Sequence, residues 1–341
     1  MRKRVYIVHT GGTLGMQRSP HGYTTAPGHM EQLLAGLPEL SQAGMPEYTL
    51  REYDPLLDSS NLFPEDWLKI AADIAEHYNE FDGFIILHGT DTMAYTASAL
   101  AFMLEGLGKP VILTGSQIPL GELRSDGHAN LITALLLAAD YPVPEVSLYF
   151  GGVLLRGCRA VKVDAEGFEA FSSPNYPPLG EVGADIEINW QLVREKPLAD
   201  TPLAVQPLST PYVGALRFFP GITTQVLENI LRPPLKGLVL EVYGVGNAPD
   251  RDTALLKVLG EAANRGVVIV ASTQCLRGTV HLGDYSTGTA IAQAGVISGR
   301  DMTSEAILTK LFYLLSRGYQ SGEVKKLMPQ DLRGELTPEA V

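Results

Sequence analysis

Short apolar runs alternate with longer stretches of helical spacing along most of this chain. Val5–Val8 is an unbroken apolar run that closes on Thr10-Gly11-Gly12-Thr13, and Phe84–Leu87 closes on His88-Gly89-Thr90-Asp91-Thr92. Runs this short, apolar at successive positions and ended by glycine, read as buried strands, Val5–His9 and Phe84–His88. Between them, Trp67, Ile70, Ala71, Ile74, Ala75 and Tyr78 recur at helical spacing, and Pro64-Glu65-Asp66 suits a first turn, which predicts a helix over Pro64–Tyr78. A helix from Met93 to about Leu107, a strand Pro110–Thr114, a helix Arg124–Ala139 and a strand Val146–Phe150 follow. This alternation predicts a mostly parallel sheet with helices on both faces.

The pattern breaks between about Ser172 and Pro211, where Pro174, Pro177, Pro178, Pro197, Pro202, Pro207 and Pro211 cluster without a sustained apolar period. Alternation then resumes. Val213–Phe219, Gly237–Tyr243 and Val267–Ala271 read as strands, and Asp250–Asn264, Gly288–Ala294 and Thr303–Arg317 as helices. The fold class expected is α/β in two domains, with no internal repeat. A larger N-terminal domain, 1–190, carries a mostly parallel sheet flanked by helices. A linker over 191–212 leads to a smaller parallel-sheet domain, 213–341. The polar loop near Ser19–Gly28, carrying Tyr23, suits a mobile lid.

Composition narrows the function class. The chain has 341 residues, 45% hydrophobic and 19% charged, enough to bury a large core. A net charge of −12 argues against a nucleic-acid platform, which concentrates Lys and Arg. The basic start Met1–Arg4 precedes too short an apolar run for a secretory signal. No segment approaches the roughly 18 apolar residues that span a bilayer. The two cysteines, Cys158 and Cys275, make no disulfide framework. A soluble cytoplasmic protein without membrane or nucleic-acid partners is expected.

In an open parallel sheet the loops at the carboxyl ends of strands line one crevice, so the two threonine turns are placed to meet. The first turn alone reads as an ordinary strand–helix connection. It matches neither G-x-G-x-x-G nor a phosphate loop. As a nucleophile its threonine needs a base and oxyanion donors, because a hydroxyl is weak at its own pKa. In the second turn Asp91 or Thr92 suits helix capping, whereas Thr90 beside Asp91 suits proton handling. Lys162 reads as a solvated surface lysine or, in its apolar stretch, as a partner of Asp91. Asp58-Ser59-Ser60-Asn61 reads as a turn or cap, or as a grip for a carboxylate. Arg124-Ser-Asp-Gly127 suits a structural Arg–Asp network. Seven scattered histidines offer no metal-ligand spacing, and the G-x-S-x-G elbow is absent. Cys275 suits a buried small hydrophobe.

Together, Thr10-Gly-Gly-Thr-Leu-Gly-Met16, Leu87-His-Gly-Thr-Asp-Thr-Met-Ala-Tyr-Thr96, Thr114-Gly-Ser-Gln117, Arg124-Ser-Asp-Gly127, Tyr243-Gly-Val-Gly-Asn-Ala-Pro249 and Leu332-Arg-Gly-Glu-Leu336 resemble the bacterial-type L-asparaginases, particularly the cytoplasmic type I branch. The resemblance covers essentially the whole chain. It implies hydrolysis of L-asparagine to L-aspartate and ammonia through a threonine-linked acyl-enzyme, without cofactor or metal. By the same resemblance Thr13 matches the nucleophile and Tyr23 the lid tyrosine bonded to it. Thr90, Asp91 and Lys162 match the second cluster. Asp91 and Asp58-Ser59-Ser60 match the grip on the substrate's α-amino and α-carboxylate groups. Asn247 matches a residue lent by a neighbouring subunit, in a dimer or dimer of dimers. Cys275 fits the cysteine of an activating asparagine site, whose arginine and threonine positions hold Glu241 and Val161 here. Glutamate in place of arginine removes a carboxylate-binding fork and adds repulsion, so strong activation by asparagine is not expected.

Two rivals stand beside this reading. One is a glutamine-preferring hydrolase or the amidase component of a transfer-RNA amidotransferase. The latter usually carries extra N-terminal sequence, for which a first strand at Val5 leaves no room. One methylene is worth only about 1–3 kcal/mol to a pocket, so selectivity is not legible in the sequence. The other is a non-catalytic amino-acid-binding module, which Thr13, Thr90, Asp91 and Lys162 together disfavour.

Overall fold

The structure is a computed structural model that describes residues 2–20, 22–198, 200–209 and 212–338, so Pro211 of the proline cluster lies outside the described residues. The chain divides into two compact units, Met1–Gln206 and Pro207–Val341.

The first unit is built on an eight-stranded sheet. Its order is Ile186–Ile188, Gly180–Val182, Val153–Arg156, Val146–Phe150, Val111–Thr114, Gly83–Leu87, Arg4–Gly11 and Glu47–Leu57. From Val146–Phe150 to Glu47–Leu57 all neighbours run parallel, and the other pairs are antiparallel. The unbroken apolar runs follow from burial on both faces. Val5, Ile7, Ile85, Leu87 and Ile112 pack with Leu131, Ala134, Leu135 and Ala138 of the helix Gly127–Asp140. The alternate residues Tyr6, Val8, Phe84, Ile86 and Leu113 are buried too, and side-chain alternation sends them to the opposite face. There the Tyr6 ring lies 4.4 Å from that of His77 on the helix Pro64–His77.

The structure also departs from the expected elements. The helix expected to reach Leu107 ends at Met103, because Leu104–Glu105 pairs with Ala204–Val205. That pairing places most of the expected linker, 191–212, within the first unit. Buried Arg156 and Glu145 fasten the stretch before it. Arg156 donates to Glu145 Oε1 at 3.0 Å and to the Leu192 carbonyl at 2.7 Å, and Glu145 accepts the Arg194 N–H at 2.7 Å. The expected lid loop contains an antiparallel hairpin, Met16–Ser19 with Gly22–Thr25. The strand Glu47–Leu57 and the helix His29–Ala35 are additional.

The second unit holds a parallel sheet in the order Val213–Arg217, Gly237–Val242, Val268–Thr273, Ile297–Ser298. Leu238, Leu240, Ile269 and Ala271 pack with Leu255, Val258 and Leu259 of the helix Thr253–Asn264 and with Leu227 of the helix Thr224–Ile230, which the sequence pattern did not suggest. Fully buried Lys310, on the helix Ser304–Ser316, closes the Leu332–Leu336 motif by pairing with fully buried Glu335. Lys310 also donates to the Met328 carbonyl at 2.9 Å, and Glu335 accepts the Leu332 and Arg333 N–H groups at 3.1 and 2.6 Å. Burial pushes the Glu335 carboxyl up, but Lys310 and the Arg333 N–H outweigh it and hold the carboxyl below its ordinary value. Removing one partner strands a buried charge, which typically costs about 3–5 kcal/mol. Glu335→Ala is therefore expected to lower the calorimetric melting temperature far more than a surface substitution. An unchanged transition would contradict this. Among the described residues, no helix is long and apolar enough to cross a membrane.

Candidate active site

Four neighbouring parallel strands of the first unit end in turns that touch one another. Thr10 Oγ1 donates to the Leu87 carbonyl at 3.0 Å, tying the end of Arg4–Gly11 to that of its neighbour Gly83–Leu87. Gly12, at φ +87°, is needed at the contact itself: a Cβ there would lie 2.3 Å from Gly89 N. A Cβ on Gly89 would lie 2.4 Å from Ser59 Oγ, on the turn that follows Glu47–Leu57. Thr92 Oγ1 donates to the Ser59 carbonyl at 2.7 Å, so it locks the turns together instead of capping its own helix. Glycine-freed backbone thus lets Gly12-Thr13, His88–Thr92 and Asp58–Ser60 converge, as the position of the strand ends suggests.

Lys162 completes the cluster. It lies in the short strand Val161–Lys162, paired with Phe171–Ser172. Its ammonium donates to Thr90 Oγ1 and to Asp91 Oδ1, both at 2.8 Å, with only 21% of its side chain exposed. It is not a free surface lysine, and Asp91 is its partner rather than a helix cap. Thr90 is 7% exposed, and its hydroxyl donates to Gln117 Oε1 at 3.4 Å. Gln117 Nε2 in turn donates to the Gly167 carbonyl at 3.0 Å. Asp164 accepts the Glu166 and Gly167 N–H groups, which hold its carboxyl below the ordinary value. Gln117 therefore joins the Thr90 turn to the loop after Lys162.

Asp126 braces this arrangement from behind. Its carboxylate accepts the Gln117 N–H at 3.0 Å and the Ile118 N–H at 3.0 Å, and the Asn130 amide at 3.3 Å. The Arg–Asp network expected over 124–127 is thus corrected: Asp126 serves backbone N–H groups, and Arg124 is exposed.

Under the Thr90 turn lies His88, fully buried. The Trp67 indole can only donate, and it does so to Thr96 Oγ1 at 3.0 Å. The Thr96 hydroxyl then gives its proton to His88 Nε2 at 2.9 Å, and His88 Nδ1–H donates to the Gly89 carbonyl at 2.6 Å. Burial pushes the imidazole down to about 4, against the opposing Gly89 bond. The unfolded chain, with His88 near its ordinary 6.5, takes up the proton first. Stability is therefore complete above pH 6.5 and is lost as pH falls toward 4, by roughly 3 kcal/mol at the low end. Melting temperatures across this range should fall more steeply for the wild type than for His88→Gln, and equal slopes would contradict the assignment.

Tyr23, 45% exposed, sits on the hairpin, and its hydroxyl donates to Glu122 Oε1 at 3.3 Å. A phenol has one proton, so with it committed to Glu122 the oxygen offers only lone pairs elsewhere. Asp58 caps its own turn by accepting the Ser60 N–H at 3.0 Å, and Ser59 is buried while Ser60 is exposed. In the second unit, Asn247 closes a tight turn with Tyr243 and accepts the Thr287 hydroxyl at 2.6 Å. Cys275 is exposed, which corrects the buried placement expected for it. The strand ends at Thr273, whose hydroxyl accepts the Cys275 N–H in the turn beyond. Glu241 is held by the Ser304 hydroxyl at 2.9 Å and by Arg217 at 3.6 Å. Sequence reasoning missed Gln117 as a contact of Thr90 and Glu122 as a contact of Tyr23. The Thr114-Gly-Ser-Gln117 motif was the available signal for the first, and nothing marked the second.

Two family models match the chain: the asparaginase N-terminal domain over residues 4–194 and the glutaminase/asparaginase C-terminal domain over residues 212–328. The chain belongs to the asparaginase family. It is 54% identical to L-asparaginase 1 of Escherichia coli K12 over 99% of both chains. It superposes on the crystal structure of L-asparaginase I from Vibrio cholerae with a TM-score of 0.92 and 53% identity, covering 99% of this chain and 100% of that one. It is also 34% identical to one component of the glutamyl-tRNA(Gln) amidotransferase of Methanobrevibacter smithii, over 98% of this chain and 77% of that protein. The α/β architecture, with a large N-terminal sheet and a separate smaller parallel sheet, is that of solved asparaginases.

Proposed function

We propose that this asparaginase hydrolyses the side-chain amide of L-asparagine to L-aspartate and ammonia, with Thr13 as nucleophile. Identity of more than half the residues over the full length of an L-asparaginase 1 supports the substrate. The observation that carries the chemistry is the Lys162 bridge between Thr90 and Asp91, set beside the Gly12-Thr13 turn by the Gly12–Gly89 contact.

Thr13 Oγ attacks the amide carbon, and backbone N–H groups near Gly12 and Thr90 stabilise the oxyanion. The C–N bond breaks, ammonia leaves with the proton taken from Thr13, and an aspartyl ester remains. Water then attacks the ester carbon and releases aspartate. The Thr90–Asp91–Lys162 cluster or Tyr23 carries the proton. Asp91 holds the α-ammonium and Asp58-Ser59-Ser60 the α-carboxylate. A neighbouring subunit supplies Asn247, in a dimer or dimer of dimers, and the enzyme works in the cytoplasm. Glu241, already engaged by Arg217 and Ser304, supports the reading that asparagine does not strongly activate the enzyme near Cys275. A sigmoidal rate curve in asparagine, abolished by changing Cys275, would overturn that point.

Ammonia release from asparagine and from glutamine at equal concentration tests the assignment. Higher kcat/KM for asparagine is expected. Preference for glutamine would favour the glutamine-hydrolase reading, and binding of asparagine without turnover would favour a binding module.

A further inference from the structure

We propose that Glu122 is a positioning residue for Tyr23: it holds the hairpin tyrosine at the mouth of the site through the phenol hydroxyl. The hairpin Met16–Ser19/Gly22–Thr25 is half-buried at best, with no fully buried side chain in either strand. A lone two-stranded hairpin is marginal in water, so contacts from outside must order it. Glu52 holds the chain that leaves the hairpin: it accepts the Gly28 N–H and, with its other oxygen, meets His9 Nδ1 at 3.1 Å. At the tyrosine Glu122 Oε1 accepts the Tyr23 hydroxyl at 3.3 Å.

Glu122 is suited to this because its own loop is rigidly placed. The Glu122 N–H donates to the Pro119 carbonyl at 3.0 Å, and the Ser125 N–H to the Glu122 carbonyl at 3.1 Å. The Ser125 hydroxyl donates to the Ile118 carbonyl at 3.0 Å. At its start the loop is bound to both turns of the site. Leu120 N–H donates to the carbonyl of Leu14, the residue after Thr13, at 3.0 Å. Ile118 follows Gln117, the partner of Thr90. Glu122 therefore carries the position of the two threonine turns out to the tyrosine. A bond from a hydroxyl to a charged acceptor is worth enough to bias an exposed hairpin by about tenfold.

Only the kinetic half of the test rests on the asparagine hydrolysis proposed above. Glu122→Ala is expected to lower kcat/KM for asparagine about tenfold. Glu122→Gln, which retains an acceptor oxygen, should stay within about threefold of wild type. In a Tyr23→Phe background Glu122→Ala should add little, because the bond is already gone. Independently of activity, amide exchange at residues 16–19 and 22–25 should speed up about tenfold in Glu122→Ala. Unchanged exchange there overturns the proposal whatever the kinetics, and so does an equal kinetic loss in both backgrounds. If the wild type released no ammonia, the hydrolase reading would fall while exchange still decided the role of Glu122.

Discussion

Thr13→Ala is expected to lower ammonia release from L-asparagine by roughly 10⁶-fold, the scale seen when a hydrolase loses its nucleophile. The substitution is structurally mild. Thr13 opens a short turn, Thr13–Gly15, held by the backbone bond from Met16 to the Thr13 carbonyl, and alanine leaves that bond in place. The Gly12–Gly89 contact is made by backbone and is also untouched. Substrate binding should persist, so the loss falls on kcat. The rival nucleophile is Thr90, but its oxygen already receives the Lys162 ammonium and its proton points to Gln117. A hydroxyl so engaged is placed to relay or orient rather than to attack. Acid quenching during turnover, followed by peptide mapping, separates the two. The aspartyl ester should sit on the peptide carrying Thr13, and an adduct on Thr90, or near-full activity of Thr13→Ala, would reverse the assignment.

The central parallel strands were legible in the sequence because burial on both faces leaves them almost wholly apolar: Val5–Val8 and Phe84–Leu87 carry no competing signal. The neighbouring strand Glu47–Leu57 was not legible, because it is the sheet edge. Arg51, Glu52, Asp54 and Pro55 are tolerated there, and they erase the apolar pattern. The turns of the site were visible through their glycines and threonines. What joins them was not, since Gln117 and Glu122 reach Thr90 and Tyr23 across 27 and 99 positions of chain. Capping was a fair local reading of Asp91 and Thr92, and tertiary partners won: Lys162 for one and the Ser59 carbonyl for the other. Local propensity describes a residue against its neighbours in sequence, whereas a crevice at strand ends is made of residues distant in sequence.

Lys162→Met is expected to lower kcat for asparagine by about 10²–10³-fold with little change in melting temperature, since positioned proton handling is worth that much. Methionine keeps the length of the side chain and removes only the charge and the donors. Both bonds are then lost, to Thr90 Oγ1 and to Asp91 Oδ1. Stability should barely register this. The Asp91 side chain is 64% exposed, and solvent-screened pairs of that kind contribute about 0–1 kcal/mol. The effect on binding has the opposite sign to a simple loss. On the proposed grip of Asp91 on the α-ammonium, loss of the lysine leaves a less compensated anion that would attract the substrate at least as strongly as before. KM should hold or fall while kcat collapses, whereas Asp91→Asn should raise KM. A small primary alkylamine added to Lys162→Ala should restore part of kcat by returning an ammonium to the gap. A Lys162→Met enzyme with kcat within threefold of wild type would remove the lysine from proton handling and leave Tyr23 to carry it.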